Sequence, residues 1–152
     1  IWVGGPSGRD VLSFRKNVFI GTSISDQETA EKAVLALLEC RDLSHVLFLS
    51  GEPLLGPVNL SAWLERLDWV IVGGESGPNA RSCRVEWIES IVDQCLLAGV
   101  PCFVKQLGAK AIVQDEETSG MPVVLDLRDK KGGDWSEWPD ELRVREFPEV
   151  RP

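Results

Sequence analysis

Asp68 to Arg81 reads DWVIVGGESGPNAR, and the fold class turns on it. Trp69 to Val72 is a continuous apolar run with no alternation. Such a run fits a strand covered on both faces, as in a parallel sheet, better than a strand with one wet face. Gly73 and Gly74 let the backbone turn tightly. Glu75 and Ser76 then stand where the strand ends, and Gly77-Pro78 sends the chain away. A carboxylate on a glycine turn at the carboxyl end of a buried strand is where α/β proteins place their chemistry. The same glutamate also suits a cap on the following helix or a place in solvent.

Outward from this stretch the pattern repeats. Val18 to Ile20 reads as a first strand ending at Gly21-Thr22-Ser23, and Val46 to Leu49 as a second running into Ser50-Gly51-Glu52-Pro53. Cys102 to Val104 reads as a fourth, ending at Lys105-Gln106. Between the first two strands, Ala30, Ala33, Val34, Leu37 and Leu38 mark one apolar stripe of a helix, and Ser25 with Glu28 forms a capping box at its start. Leu60, Trp63, Leu64 and Leu67 predict a short second helix capped by Asn59 or Ser61. Ile88, Ile91, Val92, Cys95 and Leu96 predict a third, closed by Gly99 and Pro101.

The alternation predicts an α/β fold of parallel βα repeats. LSGEP at 49–53 and VGGES at 72–76 echo one another, each placing a glutamate one residue after a glycine at a strand end. One domain is expected over 1–152: a connector at 1–16, βα repeats at 17–108, and a C-terminal extension at 109–152. In the connector, Ile1-Trp2-Val3 suits a strand end, Gly4 to Gly8 a turn, and Val11 to Phe14 a short helix. The extension is expected to hold a solvated acidic loop around Asp115-Glu116-Glu117, a strand over Met121 to Leu127, a short helix after a Ser136 cap, and a last strand over Val144 to Phe147. Trp135 and Trp138 suit anchors of the tail on the core, or an aromatic platform for a base or sugar.

Composition bounds the function. The chain of 152 residues has a net charge of -8 and no basic run, which argues against duplex nucleic acid as a partner. No apolar run approaches the ~20 residues a membrane helix needs, and no signal peptide shows at the start. Cys40, Cys83, Cys95 and Cys102 have no CxxC or CxxxCxxC spacing, which disfavours a local zinc or iron–sulfur site and suits reduced thiols in a cytoplasmic protein. The chain opens on Ile1, as a processed product, an expression fragment or a partial reading of a longer gene would.

In a parallel sheet, Thr22, Ser23, Glu52, Glu75, Ser76, Lys105 and Gln106 emerge at one edge, with Arg81 on the loop beyond. Neighbouring strands lie ~4.8 Å apart, so the two glutamates can couple and Lys105 can pair with either. Two nearby carboxylates suit metal binding, acid–base work, or recognition of a ribose or an amino group. His45, the sole histidine, precedes the second strand and stands at the opposite edge, which disfavours a catalytic Ser-His or Cys-His set.

NVFIGTSISDQ at 17–27, FLSGEPLLGPV at 48–58, DWVIVGGESGPNAR at 68–81, GVPCFVKQLG at 99–108 and GGDWSEWPDELRVREFP at 132–148 occur in this order. Together they resemble the C-terminal part of the phage Gp-thirty-seven/sixty-eight family of uncharacterised proteins, whose members resemble radical S-adenosylmethionine enzymes. The resemblance implies a partial (β/α) barrel. It also implies that a full-length protein would carry an N-terminal three-cysteine loop for a [4Fe–4S] cluster, with S-adenosylmethionine held partly by the strand ends. It makes Glu52, Glu75, Arg81, Lys105 and Gln106 pocket residues of that protein, assigns no substrate, and leaves the present chain alone inactive. Ser25 stands where the family often has an acidic residue, and Gly51 and Leu107 replace commonly larger ones. A half barrel exposes a sheet edge and an inner face, so a homodimer, or a sheet covered by the C-terminal tail, is expected. A non-catalytic phage or prophage interaction module and a metal-dependent hydrolase using Glu52 and Glu75 are the alternative functions.

Overall fold

The computed structural model describes residues 18–114 and 120–149. The connector readings over Ile1 to Lys16 and the acidic run at 115–117 lie outside them. The fold is mixed α/β. Four parallel strands, β1 (Phe19–Ser23), β2 (Val46–Gly51), β3 (Trp69–Gly73) and β5 (Cys102–Gln106), form one sheet in the order β1-β2-β3-β5. A smaller sheet joins β4 (Cys83–Arg84), β6 (Ala111–Gln114) and β7 (Pro122–Val124) in the order β4-β6-β7.

Register sorts the residues of the main sheet into two faces. Leu49, Val70 and Cys102 align across three strands, as do Val72 and Val104, and all are buried. Against this face pack α1 (Gln27–Leu38), through Ala30, Val34, Leu37 and Leu38, and α2 (Val85–Ala98), through Val85, Ile88, Ile91, Val92 and Cys95. The opposite face carries Phe48, Trp69, Ile71 and Phe103, all partly exposed. The ring of Phe48 lies over Gly21, where an added Cβ would meet it at 2.4 Å.

Several local expectations shift. The capping box of α1 is formed by Asp26 and Thr29 rather than Ser25 and Glu28: the Thr29 amide donates to Asp26 Oδ1 at 2.8 Å, and the Thr29 hydroxyl accepts from the Asp26 amide at 3.0 Å. Leu60 to Leu67 does not form an α-helix. Asn59 Oδ1 accepts the Ser61 amide at 3.0 Å in a side-chain turn, and a single 3-10 turn covers Leu64–Arg66. The second crossover is therefore an ordered loop, pinned to α2 by Gln94, which accepts from the Leu60 amide and donates to the Val58 carbonyl. In α2, Leu96 is 78% exposed, so Val85 takes its place on the buried stripe. Gly99 ends that helix in the left-handed conformation at φ 67°, as expected of a glycine there.

The tail departs furthest. β7 is shorter than the expected strand and wholly exposed. The helix expected after Ser136 is split into 3-10 turns at Trp135–Glu137 and Asp140–Leu142, the first capped by Asp134. Val144 to Phe147 supplies one antiparallel bridge, Phe103 with Arg145, flanked by Val104 N donating to Val144 O and Glu146 N donating to Cys102 O. The tail thus lines the outer edge of β5. Trp138 is the buried anchor, with its indole N–H on the Gly132 carbonyl at 3.0 Å, whereas Trp135 is 45% exposed. Among the described residues, no helix is long and apolar enough to cross a membrane.

Candidate functional site

The carboxyl ends of β2, β3 and β5 enclose a polar depression of about 290 Å³. Glu52, Glu75, Ser76, Lys105 and Gln106 line it, with Ser50, Pro53 and Gly74. Ser50 was not foreseen. The available signal was alternation: two residues before Glu52, it shares that strand's open face. Thr22 is in register with buried Leu49, so the same alternation directs it to the helix face. Ser23 is in register with Ser50 but lies at the exposed β1 edge, outside the depression. Arg81 stands behind Glu75 and does not line the depression.

The two glutamates have different surroundings. Glu75 accepts from the Arg81 amide at 2.9 Å, from Nε at 2.8 Å and from NH2 at 3.1 Å. That forked, charge-assisted contact spans both carboxylate oxygens. Donation from the Arg81 side chain, then from its backbone, holds the Glu75 carboxyl down at about 2. Glu52, its side chain 16% exposed, accepts from Lys105 Nζ at 3.2 Å, its one hydrogen-bond partner among the described residues. Its Oε1 lies 3.2 Å from where a Cβ on Gly73 would stand. The two carboxylates thus have separate cationic partners and share neither.

Sequence near Gly73 and Gly74 fixes this edge. Gly74 N donates to Gln106 O at 3.0 Å, and Gln106 Nε2 returns a bond to Gly74 O at 2.9 Å. Ala109 N donates to Glu75 O at 2.8 Å. A Cβ on Gly74 would fall 2.2 Å from the Leu107 carbonyl oxygen, so the close strand approach requires glycine. Beyond β5, the Gly132 carbonyl accepts both the Leu107 amide and the Trp138 indole N–H. That loop is itself tied by Glu137, which takes the amides of Arg128 and Asp129 and is held down at about 2 chiefly by those backbone bonds.

A larger, open groove of about 830 Å³ runs past Gln27, Asn59 and Gln94. Its amide side chains are spent on structure: Gln27 accepts the Asn59 amide and Gln94 holds Leu60 and Val58. At the amino-terminal end of the strands, a third depression includes His45, Asp68 and Pro101. Asp68 there accepts from Arg41 at 2.6 Å and from the Leu47 amide at 2.7 Å, ordinary closure of a sheet end. Cys83, Cys95 and Cys102 are buried and Cys40 half-buried. Burial pushes the Cys83 thiol up to about 12, and contact with Cys95 together with burial raises Cys102. Among the described residues, no group of three or more His, Cys, Asp and Glu side chains is placed to hold a metal ion.

A family model, described as a protein of unknown function (DUF5131), matches residues 5–139. No curated protein and no solved structure gives a match to the chain.

Proposed function

We propose a small-molecule-binding role for a chain that belongs to this family of proteins of unknown function, DUF5131. The domain is part of a (β/α) barrel, and the depression at its strand carboxyl ends holds part of a polar ligand. The observation that carries this reading is the convergence of Glu52, Glu75, Ser76, Lys105 and Gln106 on one depression at the edge where parallel α/β sheets bind ligands. In the complete protein the reading extends to radical S-adenosylmethionine-like chemistry, with S-adenosylmethionine as a candidate ligand of this edge.

The described residues do not fit an iron–sulfur cluster. Three of the cysteines are buried on separate elements with two thiols driven up, and no metal-ligating group forms. No step is therefore assigned to these cysteines. A metal-dependent hydrolase built on Glu52 and Glu75 fits less well than a binding site, because Arg81 occupies both oxygens of Glu75. A homodimer across the exposed β1 edge belongs to the same proposal, and a monomer in light scattering removes it.

The test is anaerobic reconstitution of the full-length protein with iron and sulfide, followed by incubation with S-adenosylmethionine. A cluster spectrum with cleavage to methionine and 5′-deoxyadenosine is the expected result. Absence of both removes the enzymatic part. Absence of S-adenosylmethionine binding to the strand ends as well favours a non-catalytic phage or prophage interaction module.

A further inference from the structure

We infer that Glu52 is the anchoring carboxylate of the depression and that the group it takes is an alkyl- or arylammonium. This inference rests on the small-molecule reading above and names its ligand class.

An ionised carboxylate offers about four acceptor positions on its two oxygens. Glu75 has three of its positions filled by Arg81. Glu52 has one filled, by a lysine at 3.2 Å whose own side chain is 57% exposed. An acceptor oxygen with no donor from the protein is open to a ligand that can donate to it. Its Oε1 is the oxygen left over, 3.2 Å from where a Cβ on Gly73 would stand, and Glu52 itself lines the depression. Lys105 is on the other oxygen, Oε2.

The surroundings specify more than charge. Ser50 and Ser76 line the same depression, and neither hydroxyl has a hydrogen-bond partner among the described residues. Ser50 is in register with Ile71, so the polar mouth adjoins a partly exposed apolar side chain on the same face of the sheet; the Phe103 ring beyond it carries the Arg145 guanidinium, 5.5 Å from its centroid. An ammonium donating to Glu52, with its hydrocarbon or aromatic body laid toward Ile71, satisfies both halves. An anionic ligand of the same body would meet the like charge of Glu52.

The experiment titrates this chain with phenethylammonium chloride, following backbone amide signals by two-dimensional NMR. Phenylacetate and 2-phenylethanol serve as anionic and neutral isosteres. Shifts are expected at Ser50, Gly74 and Lys105 with the ammonium, and weaker or absent ones with the isosteres. Glu52→Gln is expected to weaken ammonium binding about tenfold or more, and Glu75→Gln less than threefold. Should Glu52→Gln lose its dispersed spectrum, Lys105→Met replaces it: removing the competing cation is expected to tighten ammonium binding, and weaker binding overturns the inference. If phenylacetate or 2-phenylethanol shifts the same amides equally, or Glu52→Gln binds as the native chain does, the ammonium assignment falls and the pocket stands. If the three probes and S-adenosylmethionine all leave those amides unmoved, the pocket reading falls with it.

Discussion

Ser50-Gly51-Glu52 and Gly73-Gly74-Glu75 are two copies of one sequence idea, a glutamate delivered one residue after a glycine at the end of a parallel strand. Their surroundings separate them. The β3 end is clamped from both sides: its amide and carbonyl exchange bonds with Gln106, Ala109 holds the Glu75 carbonyl, and Arg81 grips the carboxylate. The β2 end turns through the cis Glu52–Pro53 peptide, with its carboxylate on one exposed lysine. Similar sequence thus yields one carboxylate spent on holding its own turn and one with acceptor capacity to spare. A strand-end glutamate keeps acceptor capacity when its local donors are few, whatever motif delivered it.

The largest test of that contrast is at the glycines. A Cβ on Gly74 would sit 2.2 Å from the Leu107 carbonyl oxygen and 3.0 Å from Cys83 Cβ, both on packed elements. Gly74→Ala is expected to cost about 2–4 kcal/mol and to lower the melting temperature by roughly 5–10 °C. A Cβ on Gly51 would meet Leu54 Cδ2 at 3.4 Å, ordinary contact. Gly51→Ala is therefore expected to move the midpoint by no more than about 2 °C, aided by the lower entropy of its unfolded chain. Thermal melts followed by circular dichroism measure both. Equal losses at the two sites would show that the β3 end is not the more tightly built.

Much of this was legible, and the reasons for the misses are local. The apolar runs at 46–49, 69–72 and 102–104 identify strands because both faces of that sheet carry apolar side chains, and register follows from parallel pairing. The start of α1 shifts by one residue because Ser25-x-x-Glu28 and Asp26-x-x-Thr29 satisfy the same pattern, and the charged carboxylate is the stronger acceptor. The helix expected over Leu60 to Leu67 loses to tertiary bonds from Gln94, 34 residues away in sequence from Leu60, which no local pattern contains. The fork between Glu75 and Arg81 spans a Gly-Pro turn, and opposite charges flanking that turn were its only trace. Neither the tail's alignment on β5 nor the closure of its loop by Glu137 has a periodic signal: the first rests on backbone bonds between segments about 40 residues apart, the second on one side chain bonding to backbone amides eight and nine residues away.

Titration sharpens the contrast next. Replacing Arg81 with Gln removes the guanidinium donors that do most to hold Glu75 near 2 and leaves the backbone amide of residue 81, so its carboxyl should rise part of the way toward the ordinary ~4.3 of a glutamate. Carboxyl carbon shifts across an acid titration read this directly. A Glu75 midpoint in Arg81→Gln that is unchanged from the native chain would mean that the guanidinium does not set it. The same shift fixes a sign for stability. Because the folded-state value is depressed, the Glu75–Arg81 contact stabilises the fold above the unfolded value and is lost as pH falls toward 2. Native chain and Arg81→Gln should therefore differ most in denaturation midpoint above pH ~4.5 and converge near pH ~2. Glu137, held down chiefly by the amides of Asp129 and Arg128, adds an acid-sensitive contribution common to both proteins.

The smallest effect is expected at Lys105. Its ammonium is 3.2 Å from Glu52 Oε2, long for a charge-assisted bond, and its side chain is 57% exposed. Water screens such a pair, and ordering a long side chain offsets much of the attraction, so Lys105→Met should change stability by less than about 1 kcal/mol. Added salt should do correspondingly little to the native chain's midpoint through this contact. A loss several times larger would place Lys105 alongside Arg81 as a structural clamp, and would tie the Glu52 carboxylate to its own turn as firmly as Glu75 is tied to its own. A small loss leaves Glu52 a mostly buried carboxylate that the fold does not depend on neutralising. That residual capacity to accept, at a strand edge with an apolar side chain beside it, is what separates a site that can exchange its partner from one that cannot.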